Sequence, residues 1–190
     1  MSKIRKEENP GWLQWIVPER FNNPELFKIV IFFVFHSPCK DSSAMRRSLQ
    51  EYGWSDKPWF KPEELKFKLL KCIGSFNETP RKQILFSANN ADEMDEKLKS
   101  ADLLDNFPSN LDYERVAFVN SKENQFMSVF AHIRNSLAHG RLNMREIPET
   151  NDFFFIMEDV NRAGSVTSRM ILKKSTLLKW IDLIEKVIEK

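Results

Sequence analysis

Apolar positions along this chain follow the helical period most clearly in residues 126–137. The apolar residues there recur at the i, i+3, i+4, i+7 and i+11 spacing that places them on one side of a helix. They are Phe126, Val129, Phe130, Ile133 and Leu137. Two further segments also indicate helices. Residues 25–36 are apolar nearly all round, and residues 62–73 are amphipathic, so both are predicted to pack into a core.

The middle of the chain carries a weaker pattern. Residues 81–88 and 92–104 are predicted as helices, separated by polar breaks. Residues 112–119 are predicted as a short helix that leads into the segment 126–137. The part between residues 76 and 110 is also where we expect loops, an insertion or a surface that selects the substrate.

The period of the apolar positions changes near the end of the chain. Residues 152–158 and 168–173 indicate two strands around the loop 161–164, which predicts a β-hairpin over residues 152–173. Ser175 is expected to cap a final amphipathic helix. The predicted fold class is therefore mainly α: a helical bundle with a C-terminal β-hairpin followed by a closing helix.

Length and composition favour one globular domain over residues 1–190. Apolar residues make up 42% of the chain and charged residues 29%, a balance that excludes wholesale disorder. Residues 1–11 are charged and are expected to form a mobile terminus. Two cysteines do not make a disulfide framework, and neither an apolar leader nor a membrane-spanning run is visible. These features predict a cytoplasmic protein with no membrane partner.

The end of the predicted helix 126–137 carries the candidate chemistry. Arg134 and Asn135 are followed, after three residues, by His139, and Gly140 is expected to end the helix as a left-handed cap. Histidine transfers protons near neutral pH, and the arginine fork matches phosphate oxygens. Asn135 can donate to an oxygen or orient the histidine. A proton shuttle and a phosphate clamp suit metal-free RNA cleavage, in which the 2′-hydroxyl attacks its own phosphorus.

These residues resemble a known signature. The stretch IRNSLAHGR is similar to the motif of the HEPN superfamily, in which Arg, a polar residue, three more residues and His mark the site. The resemblance implies an all-helical, HEPN-like core and a homodimer with the motif helices face to face. It also implies metal-independent endoribonuclease activity in toxin–antitoxin or antiviral defence systems, with an antitoxin or regulatory protein as a partner.

A stripe of small residues on the same helix points to a dimer contact. Ser128, Ala131, Asn135 and Ala138 lie away from the apolar stripe and would let a second helix approach closely. Arg134 and His139 lie about 140° apart around the helix axis, which is too far to reach one phosphate from a single straight helix. A homodimer through this helix is therefore expected to complete the site.

Further RNA contacts are predicted near the motif. Arg141 and Arg145 follow it along the chain, and His132 lies one heptad before His139, so these three residues are candidate RNA-binding residues. The net charge is only +2, from 29 basic and 27 acidic residues, so contact with nucleic acid must come from a local patch. The helix that carries the motif is expected to begin after Asn120 or Ser121, either of which can cap it.

Other kinds of site find less support in the residues. His36 and Cys39 have metal-like spacing, but a zinc site needs four ligands, so we expect no metal and no cofactor. A non-functional interpretation of the motif also stays open. In it, His139 only forms hydrogen bonds with the carbonyl groups at the end of the helix, and Arg134 is an ordinary charged residue of the surface. The alternative function is a non-catalytic HEPN module that dimerises and binds RNA or a protein partner.

Overall fold

The computed structural model of the chain describes residues 24–39, 48–52, 54, 62–73, 83–104, 111–122 and 124–185. Five α-helices lie in this part of the chain: α1 Pro24–Ile31, α2 Pro62–Cys72, α3 Met94–Ser100, α4 Gln125–Ala138 and α5 Lys174–Glu185. A π-helical turn, Phe32–His36, extends α1, and short 3-10 turns occur at Gln50–Tyr52 and Ala91–Glu93. The terminus predicted to be mobile, residues 1–11, lies outside the described residues.

Five strands form one mixed sheet in the order β1-β2-β5-β4-β3. They are β1 Leu85–Ala88, β2 Arg115–Val119, β3 Leu142–Glu146, β4 Phe153–Val160 and β5 Val166–Lys173. β1 and β2 are parallel and are joined through α3, and every other neighbouring pair is antiparallel. The prediction of a mainly α fold, and with it the HEPN-like helical bundle, is wrong, because a five-stranded sheet forms the centre of the described structure.

The strands that the sequence pattern missed are short or buried on both faces. β1 has four residues, too few for a period to be recognised, and it lies where a helix over 81–88 was predicted. β2 replaces the predicted helix 112–119, and its first four residues are all buried, so no alternation distinguishes it from a buried helix. β3 ends in exposed charged residues and has little strand propensity. Pairing with neighbouring strands therefore settles the extended conformation of these segments.

Two apolar layers cover the two faces of the sheet. On one face, α1, α2, α4 and α5 share a large core with side chains from β2, β3, β4 and β5. Phe130 of α4 meets Phe33 edge-on at 5.7 Å and Trp180 of α5 at 5.7 Å, which fixes α4 between its neighbours. On the other face, α3 covers Ala117, Ile156 and Ile171. The domain therefore has a helix–sheet–helix arrangement with α4 on the larger face.

The end of the chain agrees better with the sequence pattern. β4 and β5 pair antiparallel from Phe154↔Lys173 to Val160↔Val166, so the predicted hairpin is observed. A helix follows it directly, beginning at Lys174 rather than after Ser175, and it buries Leu177, Trp180 and Ile181. Among the described residues, every helix is too short or too polar to cross a lipid bilayer.

Capping residues set both ends of α4. Asn124 is the N-cap and its side-chain oxygen accepts a hydrogen bond from the Phe126 N–H at 2.8 Å, so the prediction that Asn120 or Ser121 caps this helix is wrong. At the other end the Arg141 N–H donates to the Ser136 carbonyl at 2.8 Å and the Gly140 N–H to the Leu137 carbonyl at 3.2 Å. This pair of bonds is a Schellman motif, with the predicted glycine in its left-handed position.

Replacing Gly140 by alanine is expected to lower the free energy of unfolding by about 1 kcal/mol, because a Cβ atom is disfavoured at its φ of 64°. Gly140→Asn is the matched variant, and we expect a smaller loss from it because asparagine tolerates this conformation better than alanine. Urea unfolding followed by circular dichroism measures both variants. Equal stability of wild type and Gly140→Ala would contradict the importance of this cap.

Candidate functional site

The candidate site lies at the C-terminal end of α4. The helix presents its apolar stripe to the core, which leaves Arg134 and Asn135 half-buried and His139 exposed to solvent. His139 follows the last helical residue, and its backbone N–H donates to the Asn135 carbonyl at 2.9 Å. Because residues four apart share a helix face, Asn135 and His139 lie on the same side of α4.

A buried ion pair lies directly behind this surface. Nδ1 of His132 is 2.7 Å from Oδ2 of Asp159 on β4, and Nε2 of His132 is 3.0 Å from the Val119 carbonyl oxygen at the end of β2. Both partners are acceptors, and an imidazole donates to two acceptors at once only when both ring nitrogens carry protons. His132 and Asp159 are 6% and 4% exposed, so the pair ties α4 to the sheet inside the protein.

Hydrogen bonds connect this buried pair to the candidate surface. Oδ2 of Asp159 also accepts from Nδ2 of Asn135 at 3.0 Å, and Oδ1 of Asn135 accepts from Nη1 of Arg134 at 2.9 Å. The guanidinium therefore reaches round the helix to Asn135, whose face His139 shares. The sequence led us to expect that Arg134 and His139, about 140° apart around the helix, cannot reach one phosphate from a single chain. The bond to Asn135 brings the guanidinium toward the face of His139, so this angle does not by itself keep the two groups apart.

The environment of Asp159 favours its charged form. Burial raises the pKa of the carboxyl, but hydrogen bonds from His132 and Asn135, together with the charge of His132, lower it further than burial raises it. The resulting pKa lies below the ordinary value for aspartate. Asp159 is thus a carboxylate that accepts hydrogen bonds from two side chains of α4.

Asp159 was missed as a candidate when the sequence alone was considered. It lies in the strand segment Phe153–Val160, which was assigned only a place in the hairpin. A signal was available, because Phe155, Met157 and Asp159 alternate along β4 and the first two enter the core beneath α4. A charged residue that continues an inward-facing apolar row is a candidate partner for a buried polar group.

The structure separates the three residues predicted to bind RNA. Arg141 follows the helix cap and is half-buried, close in sequence to His139. The side chain of Met144 packs in the core beneath α4. Because neighbouring residues of a strand point to opposite faces, Arg145 lies on the other face of the sheet. His132 is buried with both ring nitrogens bonded to protein groups, so we do not retain it as a direct RNA contact.

The stripe of small residues is only partly available to a second chain. Ser128 is fully buried, and its hydroxyl donates to Oδ1 of Asn120 at 2.9 Å and accepts from the Lys122 N–H at 3.0 Å. Ala131 is also buried within the chain, whereas Asn135 is half-buried and Ala138 exposed. The surface that α4 offers to a partner is therefore its last two turns.

The described residues hold no group of three His, Cys, Asp or Glu side chains placed to ligate a metal ion. No known protein family, curated protein or solved structure matches the chain. The chemistry proposed below therefore rests on the geometry at the end of α4 and on the motif resemblance.

Proposed function

We propose that the protein is a metal-independent endoribonuclease whose active site is the C-terminal end of α4. The observation that supports the proposal is the combination of an exposed imidazole, His139, with a guanidinium, Arg134, that Asn135 draws toward the same helix face. The first group is suited to move a proton near neutral pH, and the second to bind a phosphate.

The proposed reaction is an internal transesterification of RNA. Neutral His139 takes the proton of the 2′-hydroxyl while that oxygen forms a bond to the adjacent phosphorus. The bond from phosphorus to the 5′-oxygen breaks, and this oxygen receives a proton from a second, protonated imidazole. The products are a 2′,3′-cyclic phosphate and a 5′-hydroxyl. Arg134 binds the phosphate oxygens while negative charge develops on them.

The proposed reaction uses a second proton-transfer group, and we propose that a homodimer provides it. The chain has three histidines, of which His132 is buried in its ion pair and His36 lies in the turn after α1. His139 is therefore the one histidine of a single chain exposed at this helix end. A second copy of the chain, packed through the last two turns of α4, supplies the same histidine for the other half of the proton transfer.

One observation favours a second candidate function, a non-catalytic module that binds RNA or a protein. Arg134 already donates to Asn135, and one chain alone exposes one proton-transfer group at this surface. Such a surface binds phosphate without cleaving RNA if no second copy completes it. The two functions differ in one measurable result, the appearance of new RNA ends.

The setting of the activity is part of the same proposal. The motif resemblance supports a toxin–antitoxin or antiviral role, in which an antitoxin or regulatory protein covers the exposed end of α4. Cys39 and Cys72 do not form a disulfide in the described structure, which is compatible with the cytoplasmic location proposed for the protein.

Purified protein is expected to cleave single-stranded RNA in the presence of EDTA and to leave 2′,3′-cyclic phosphate ends, because histidine and arginine supply the proposed chemistry without a metal. Gel electrophoresis of a labelled RNA and treatment of the ends with phosphatase measure this. A 2′-deoxy oligonucleotide of the same sequence is the control and is expected to stay intact. Cleavage that EDTA abolishes and Mg²⁺ restores would contradict the proposed chemistry, and binding without cleavage would support the non-catalytic module.

A further inference from the structure

We propose that Asp159 is a positioning residue that aims Arg134 at the scissile phosphate through the side-chain amide of Asn135. The inference rests on the proposed function, since it concerns the same surface at the end of α4. It adds a residue from β4, 24 positions along the chain from Asn135, that contacts neither the phosphate nor the reacting atoms.

One oxygen atom organises this arrangement. Oδ2 of Asp159 accepts from His132 at 2.7 Å and from Asn135 at 3.0 Å, so the two donors hold the carboxylate from two positions on the same helix. His132 in turn is held by the Val119 carbonyl at 3.0 Å. The carboxylate, which belongs to β4, is therefore bonded to α4 and is tied to β2 through His132.

The anchored carboxylate determines which way the Asn135 amide points. Because Asp159 is an acceptor only, it bonds to the amide nitrogen Nδ2 and not to the oxygen. The oxygen Oδ1 is then presented to Arg134, whose Nη1 donates to it at 2.9 Å. A flipped amide would place a donor against the guanidinium and lose both bonds. The orientation of the guanidinium thus follows from the acceptor oxygen that Asp159 presents to Asn135.

A second ion pair on the same strand provides a matched control. Glu158 is the neighbour of Asp159, and its Oε2 accepts from Nε of Arg169 at 2.8 Å on the opposite face of the sheet. The side chains of Glu158 and Arg169 are 15% and 4% exposed, similar to the His132–Asp159 pair. Disturbing this pair changes the stability of β4 without touching Asn135. A purely structural role for Asp159 predicts that the two pairs affect activity alike.

The test compares kcat for cleavage of a short RNA by folded wild type, Asp159→Leu, Asp159→Asn and Glu158→Gln. We expect Asp159→Leu to lose about 10- to 100-fold in kcat, since misplacement by about 1 Å can cost that much. Asp159→Asn retains an acceptor oxygen at the same place, and we expect it to stay within about three-fold of wild type. Glu158→Gln is expected to keep the wild-type kcat.

A double-mutant cycle with Asn135→Ala separates positioning from general loss of structure. If Asp159 acts through Asn135, then Asp159→Leu causes no further loss of kcat once Asn135 is alanine. Equal losses from Asp159→Leu in both backgrounds would overturn the proposal, and so would a wild-type kcat for Asp159→Leu alone.

An NMR measurement tests the inference even if the wild-type protein cleaves no RNA, and also if the Asp159→Leu variant does not fold. The Asn135 side-chain amide is expected to shift in Asp159→Asn, because a neutral acceptor replaces a charged one, and the Nε–Hε signal of Arg134 is expected to shift with it. Glu158→Gln should leave both signals in place. Unmoved signals in Asp159→Asn would overturn the positioning role. Shifted signals in a protein that cuts no RNA would support positioning and refute only the proposed reaction.

Discussion

Replacing His139 by alanine is expected to lower the rate of RNA cleavage by about 10²- to 10⁴-fold, the range typical of a positioned acid–base group. The side chain is exposed and its backbone N–H, which closes the helix, is unchanged by the substitution. We therefore expect the circular dichroism spectrum and the unfolding midpoint to stay close to those of wild type. Initial rates on a labelled RNA in EDTA measure the loss.

Arg134→Lys is the companion variant for the phosphate clamp. Lysine keeps the charge but lacks the planar fork, so we expect activity to fall here as well. Lys179→Ala on α5 removes an exposed cation elsewhere and is the control for a general effect of charge. A wild-type rate for either His139→Ala or Arg134→Lys would refute the assignment of the site.

Mixing wild type with the inactive His139→Ala variant tests whether two chains share one site. The proposed reaction takes one imidazole from each subunit, so a mixed dimer contains only one His139 and is expected to be inactive. Cleavage after mixing and refolding is therefore expected to fall more steeply than the fraction of wild-type chains. Cleavage in simple proportion to that fraction, together with a monomeric mass by light scattering for active wild type, would contradict the composite site.

Removing the partner of the buried carboxylate is expected to cause the largest loss of stability. His132→Phe keeps a ring of similar size, close to the Phe118 ring 6.5 Å away, but it removes both N–H donors. Asp159 then remains as a buried charge whose main partner is lost, and we expect the free energy of unfolding to fall by about 3–5 kcal/mol. Guanidinium unfolding at pH 7 measures the change.

The double variant His132→Phe/Asp159→Leu is the matched control for this prediction. It removes both charges and fills the space with apolar atoms, which is often neutral or stabilising for a buried pair. We expect it to recover most of the stability lost in His132→Phe. A double variant that is less stable than His132→Phe would show that packing, rather than the unpaired carboxylate, dominates the loss.

The same pair predicts how stability depends on pH. The pKa of Asp159 is lowered in the folded protein, so its contribution to stability is present above the unfolded-state pKa of about 4 and is lost as pH falls through the folded-state pKa. Without His132, burial is the largest influence on Asp159 and raises its pKa, so His132→Phe becomes relatively more stable as pH falls towards about 4. The difference in stability between wild type and His132→Phe is therefore expected to narrow continuously from pH 7 to below about 4.

Where local chemistry decides the structure, the sequence predicted most of it, although it misplaced the N-cap of α4, which is Asn124. The apolar stripe of α4 and its glycine at φ 64° are local features, because helical bonds join residues only a few positions apart. The hairpin β4–β5 and the helix after it also follow from patterns within about ten residues. The nature of the candidate residues, Arg134, Asn135 and His139, likewise came from their order along the chain.

Only the tertiary structure decided the rest. β1, β2 and β3 take their conformation from strands far away in sequence, as the parallel pair Leu85↔Val116 illustrates, and such pairing leaves no local period in a short segment. The bond from Asn135 to Asp159 spans 24 residues, and the one from His132 to the Val119 carbonyl joins a helix to a strand end. The order of residues along the chain identified the candidates at the end of α4. The fold determined which of them are buried, which are exposed, and that the carboxylate of Asp159 lies behind them.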